Sequence, residues 1–127
     1  MSNFLISIGV LQREYDGCWE VFHRQYPYVE RPKLYIKKLR KAWGLCAKRY
    51  ISLNQKLQKL DDVYFVRHVI YHEMSHLIHM NHSRAFYDVL KQFDPLLKKE
   101  NEKLHKRVEA FKAIVERKKL TENDSDI

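Results

Sequence analysis

His72-Glu73-Met74-Ser75-His76-Leu77-Ile78-His79-Met80-Asn81-His82-Ser83 holds four of the chain's seven histidines within twelve residues. On a helix, residues four apart stand one turn above each other, so the imidazoles of His72 and His76 can reach a single zinc ion. Glu73 sits beside them, placed to take a proton from metal-bound water. A catalytic zinc needs three protein ligands and an open position. If the helix continued, His82 would point ~80° away from His72. It joins the pair only where the helix stops and the chain turns back, and Asn81 suits such a stop. An H-E-x-x-H match arises by chance in a chain of this composition with roughly 3% probability, and roughly 0.15% with the third histidine in place. His79 is the rival third ligand, because it shares the face of His72 and His76. Three ligands along a straight helix would span ~10.5 Å, so an ion equidistant from the outer two would crowd the backbone of the middle one. His79 is therefore read as a flanking residue and His68 as packed or hydrogen-bonded near the cleft. His23 and His105, on other helices, carry no signal.

Outward from this cluster, Asp61 or Asp62 is a good N-cap for a helix expected to run to about Met80. On it Val63, Val66, Ile70, Met74 and Leu77 make an apolar stripe opposite Phe65, His68, His72, His76 and His79. Upstream, Phe4, Ile8, Leu11, Tyr15, Trp19, Phe22 and Tyr26 fall at helical spacing; Gly9 and Gly17 weaken that helix and Pro27 ends it. From Lys33 to Leu53 the apolar residues come in short runs, which predicts two or three antiparallel strands with a turn near Ala47 to Arg49. Downstream, Ser83 caps a helix carrying Phe86, Leu90 and Phe93. Asp94 then caps a last helix that opens with Pro95, covers 95–119 and carries Leu97, Leu104, Val108, Phe111 and Val115. Residues 120–127 read as a polar, frayed tail. The fold class expected is α+β: a small antiparallel sheet packed on helices, with the metal on the face of the active-site helix.

Composition narrows the function classes. The chain has 127 residues, 45% of them hydrophobic and 31% charged, which fits one globular domain spanning 1–127. No apolar run approaches the ~18 residues of a membrane span. Nothing resembles a signal peptide, and two cysteines, Cys18 and Cys46, cannot form a disulfide framework, so a cytoplasmic location is expected. The net charge is +8. Ten basic residues lie between Arg31 and Lys59 (Arg31, Lys33, Lys37, Lys38, Arg40, Lys41, Lys48, Arg49, Lys56, Lys59) with no Asp or Glu among them. That block is a candidate surface for DNA or another anionic partner, or else a solvated strand face. The stretch from Lys98 to Lys119 mixes in Glu100, Glu102, Glu109 and Glu116 and reads as a solvated helix face.

Three segments together resemble the small YgjP-like and SprT-like zinc metallopeptidases, relatives of the Spartan proteases. Lys41-Ala42-Trp43-Gly44-Leu45-Cys46 looks like that group's R-x-W-G-x-C segment. Tyr50-Ile51-Ser52-Leu53-Asn54 looks like its strand ending in L-N. His72 to His76 with Met80-Asn81-His82-Ser83 and Phe86 is similar to its H-E-[LM]-x-H…M-N-H-S-x-x-F signature. The resemblance covers residues 41–93. It implies a minimal zincin-like domain, zinc held by His72, His76 and His82, Glu73 as general base, a polypeptide substrate and, from the Spartan relatives, action on DNA-associated proteins. It also implies that Trp43, Gly44 and Cys46 border the substrate cleft. Read from the residues alone, Trp43 is equally a core residue, Gly44 a bulge or turn, and Cys46 a small buried residue. The turn after Cys46 is shorter than the group's and lacks its glycine. The histidine spacing also fits the metzincins, but His79 replaces their glycine and no methionine follows His82 to make a Met-turn.

Two other functions use the same ligands. Metal-dependent endoribonucleases of the YbeY type share the His-x3-His-x5-His spacing, and the basic block would suit RNA, but they place no Glu at the position of Glu73. A non-catalytic, zinc-stabilised nucleic-acid-binding module would need the metal for its fold and have no use for Glu73.

Overall fold

The computed structural model describes residues 2–60 and 62–94, with side chains from Gly9 onward. Helix α1 (Ser2–Gln25) presents Leu11, Tyr15, Cys18, Trp19 and Phe22 as one buried stripe, the helical spacing read from the sequence. Its middle is tied to the residue just ahead of the sheet by the Tyr15 hydroxyl, which donates to the Pro32 carbonyl at 2.8 Å.

Three short strands follow: β1 (Lys33–Lys37), β2 (Gly44–Cys46) and β3 (Tyr50–Asn54), in the spatial order β1-β3-β2. β2 and β3 form the expected antiparallel hairpin, closed by a bond from the Ala47 amide to the Tyr50 carbonyl at 2.8 Å. The expectation of a wholly antiparallel sheet is corrected for β1, which pairs parallel to β3 from Lys33↔Tyr50 to Lys37↔Asn54. The reason is the six-residue connection 38–43, which crosses the end of β3 before β2 returns on its far side. Asn54 holds that crossing. Its side-chain amide donates to the carbonyls of Leu39 (3.0 Å) and Ala42 (2.9 Å), and its backbone amide donates to Trp43 (2.9 Å). The Asn54 side-chain oxygen also accepts from the Lys56 amide and so caps a 3-10 helix, Gln55–Lys59.

Helix α2 (Val63–Ser75) starts where Asp62 accepts from the Phe65 amide at 3.2 Å, the expected N-cap. It runs through the middle of the molecule, and ten of its thirteen residues are buried, polar His68, His72, Glu73 and Ser75 among them. Instead of reaching Met80 it ends at Ser75. The backbone tightens there: Leu77 bonds back to Met74 (2.9 Å) and Ile78 to Ser75 (3.1 Å), three residues rather than four. Helix α3 (Arg84–Lys91) begins at Ser83, whose hydroxyl accepts from the Phe86 amide at 3.3 Å, and buries Phe86, Val89 and Leu90. α1 and the inner face of the sheet enclose α2 in one apolar core that includes Phe22, Ile51, Leu53, Val69, Ile70, Met74 and Phe86. Each such side chain contributes about 1.5–3 kcal/mol on burial. The expected last helix, 95–119, and the tail lie outside the described residues.

Candidate metal centre

The early end of α2 is what builds the site. His72 projects from its last turn and His76 from the residue that caps it, both buried, while His82 enters from the loop that leads into α3. The ligand nitrogens of these three residues all lie within 4.8 Å of one another. His72 Nε2 and His82 Nε2 are 3.1 Å apart. Two nitrogens at about 2.0–2.1 Å from a tetrahedral zinc would be separated by roughly 3.3 Å, so the donors already stand near ligand spacing. His76 Nδ1 lies 3.1 Å from the His79 carbonyl oxygen. A carbonyl can only accept, so Nδ1 carries the proton and Nε2 keeps its lone pair for an ion. This is the use the fold makes of His79. Its backbone sets the tautomer of His76, and its ring is not among the clustered ligands.

Phe86, wholly buried at the start of α3, is the floor on which the three imidazoles rest. Its ring centroid is 5.0 Å from His72, 4.5 Å from His76 and 5.0 Å from His82. The sequence marks Phe86 as an apolar position on a helix, and nothing in the spacing reveals that it touches all three histidines.

Glu73 follows His72 and has no solvent-exposed surface. It packs against the first residue of β2. A Cβ on Gly44 would lie 3.0 Å from Glu73 Cγ, 3.1 Å from Glu73 Oε2 and 3.1 Å from Val69 Cγ1, closer than side chains normally approach. Gly44 is thus neither bulge nor turn; it is the strand position that leaves room for the glutamate. Trp43 is half-buried and meets Phe65 edge-on at 5.7 Å, the core role read from the residues. Cys46 is half-buried, with its thiol 3.4 Å from the Ala47 carbonyl, and is not one of the clustered ligands.

His68, one turn before His72, is buried, stacks on Phe65 and contacts the carboxylate of Asp94 through Nδ1. The packed, hydrogen-bonded role expected of His68 is the one observed. Asp94, read as the cap of the last helix, turns its carboxylate inward to this pair; the 26-residue separation left no local signal for it. Away from the site, burial pushes the Cys18 thiol up to about 12, more than its Tyr71 hydrogen bond lowers it, so this cysteine is no nucleophile near neutral pH.

The donor set suits a borderline-soft divalent ion such as zinc. Three imidazoles converge, and no fourth His, Cys, Asp or Glu of the described residues closes the group, as a structural site would require. The model of the YgjP-like, metallopeptidase domain family matches residues 15–107, which spans the sheet, α2, all three histidines and Glu73. The chain belongs to this family. The resemblance read from three short segments thus extends back into α1 and forward past α3. No curated protein and no solved structure matches the chain. Membership makes it a metallopeptidase-domain protein, with a metal and a polypeptide substrate implied. Among the described residues, no helix is long and apolar enough to cross a membrane.

Proposed function

We propose that this YgjP-like chain is a zinc-dependent endopeptidase, with His72, His76 and His82 as the metal ligands and Glu73 as the general base. The observation that carries the reading is the convergence of three imidazole nitrogens within 4.8 Å beside a fully buried glutamate on the same helical turn. A zinc ion held there would supply Lewis-acid chemistry, polarising the scissile carbonyl and acidifying the attacking water. Glu73 takes the proton of that water and delivers it to the leaving amine nitrogen, so the carboxylate is regenerated in each turnover. Its burial against Gly44 fixes the carboxylate before substrate arrives, and dry surroundings strengthen its effect on nearby charge. Phe86 and the His79 carbonyl hold the ligand rings and need no contact with substrate. The same reading gives the enzyme DNA-associated proteins as targets and a cytoplasmic setting in which its cysteines stay reduced.

The test is cleavage of an unfolded polypeptide by the zinc-loaded protein beside Glu73→Gln. The variant is expected to bind one zinc and to lose at least about 100-fold in rate, the scale of general-base catalysis. Cleavage that survives the substitution would sink the assignment of Glu73. RNA cleavage without peptide cleavage would favour the ribonuclease chemistry instead.

A further inference from the structure

The face of the sheet turned away from the metal centre has a composition that catalysis does not explain. Neighbours in register point to the same side of a sheet, so Tyr35 on β1, Ser52 on β3 and Leu45 on β2 share one face. Lys33 and Lys37 flank Tyr35 on it, and Tyr50 lies beside Lys33. Leu34, Ile36, Ile51, Leu53 and Gly44 point the other way, into the core and toward Glu73. On the outer face Tyr35 keeps 46% of its surface exposed, Tyr50 41% and Leu45 42%. The two tyrosine rings meet edge to face at 5.6 Å, and the Lys37 ammonium stands 5.8 and 6.0 Å from their centroids. Beyond Leu45, the connection 38–43 forms a shallow hollow lined by Lys38, Arg40 and Lys41 over Leu39 and Ala42. All ten basic residues from Arg31 to Lys59 are exposed, and among the described residues Arg31 alone of them has a carboxylate partner, Asp16.

Nine cations with no carboxylate partner among the described residues would by themselves suit any polyanion. Two half-exposed tyrosines set among them are the additional feature. Nucleobases have π-faces that stack on such rings, whereas acidic peptides and duplex DNA, whose bases are already stacked, offer nothing to them. We propose that the outer face of the sheet is a docking platform for single-stranded DNA, with Tyr35 and Tyr50 stacking on bases and Lys33, Lys37, Lys38, Arg40 and Lys41 on phosphates. Ser52, between Tyr35 and Leu45 on this face, is wholly buried, so what the face offers a strand is ring stacking and positive charge. DNA supplies everything the platform uses. Because the platform and the histidines lie on opposite sides of β2, a docked strand leaves the cleft open, and a protein sitting on that strand comes within reach across one edge strand. That consequence rests on the peptidase reading; the docking does not.

The experiment is fluorescence anisotropy of a labelled, mixed-sequence 15-mer with the full-length protein at 50 and 200 mM salt, with duplex, RNA and polyglutamate arms. Single-stranded DNA is expected to bind, more weakly at the higher salt, with affinity falling along a log–log slope of about 0.7 per phosphate contacted. Tyr35→Ala/Tyr50→Ala should lose about tenfold or more, Tyr35→Phe/Tyr50→Phe should keep the affinity, and Lys33→Glu/Lys37→Glu should lose most of it. Equal binding of duplex, an unchanged alanine pair, an unchanged charge reversal, or displacement by polyglutamate at equal charge would each overturn the proposal. RNA held tenfold more tightly would overturn DNA as the occupant. Glu73→Gln separates the two readings: it should bind as the wild type does while losing cleavage. A protein that cleaves but does not bind loses only the platform, and one that binds but never cleaves loses only the peptidase.

Discussion

At the scale of single residues, the site depends on one missing side chain as much as on those present. Gly44 leaves the space that the Glu73 carboxylate fills, and neither partner can retreat. Glu73 sits on a helix buried nearly all round, and Gly44 is bonded in register with Leu53 of the central strand. Gly44→Ala is therefore expected to displace the carboxylate or the strand. A displacement of about 1 Å costs up to roughly 100-fold in rate, and the overpacking costs about 1–3 kcal/mol in stability. On the proposed ligand set, zinc stoichiometry should be unchanged, since none of the atoms nearest a Cβ at Gly44 belongs to His72, His76 or His82. Kinetics together with zinc content by atomic absorption would check this; full activity in the alanine variant would show that the contact constrains nothing. Spacing on a helix could reveal Glu73, but the need for a glycine opposite it, 29 residues earlier, is a fact of packing.

At the scale of elements, the capping residues behave as their chemistry dictates. Asp62 and Ser83 each accept from the amide three residues on, and both helices start there. α1 contains two glycines, Gly9 and Gly17, that no packing among the described residues requires. A Cβ on Gly17 would meet no described residue within 4 Å. Gly17→Ala should stabilise the protein by about 0.5–1 kcal/mol through lower chain entropy in the unfolded state, seen as a higher urea midpoint with an unchanged slope. Asn54 is the opposite case. It ties three strand-connecting carbonyls and a 3-10 turn together, so Asn54→Ala should cost about 1–3 kcal/mol by orphaning the Leu39 and Ala42 carbonyls. Amide exchange in residues 38–43 should rise in that variant; exchange equal to the wild type would show that the connection holds its course without the clasp.

At the scale of the whole molecule, burial of ionisable groups couples the core to pH. The pKa values of the Cys18 thiol and the Tyr15 and Tyr71 hydroxyls are all raised, with burial the largest cause in each. A raised pKa in the folded state favours the protonated form, so the stability it contributes is complete below the unfolded pKa. For Cys18 it is lost as the pH climbs from about 9 toward about 12. The tyrosines act in the same direction at higher pH. The urea midpoint is expected to fall between pH 8 and pH 11; a flat midpoint would mean that these groups are hydrated in the folded protein.

The sequence by itself determined the positions of α1, α2 and α3, the capping roles of Asp62 (offered with Asp61) and Ser83, a group of short strands between Lys33 and Asn54, the α+β class, and the family that its motif segments resemble. These are local matters: periodicity, capping chemistry and the i, i+4 spacing of His72 and His76 are settled within a few residues. Tertiary structure decided the rest. Pairing β1 parallel to β3 depends on a connection clasped from 12 and 15 residues away by Asn54. Ending α2 at Ser75 tightens the backbone just ahead of the loop that carries His82, bringing its imidazole beside those of His72 and His76. Gly44 against Glu73, Phe86 beneath three imidazoles and Asp94 against His68 are contacts between distant segments. Such contacts arise only when a chain closes on a core, because close packing, unlike hydrogen-bonded periodicity, leaves no repeat in the sequence to read.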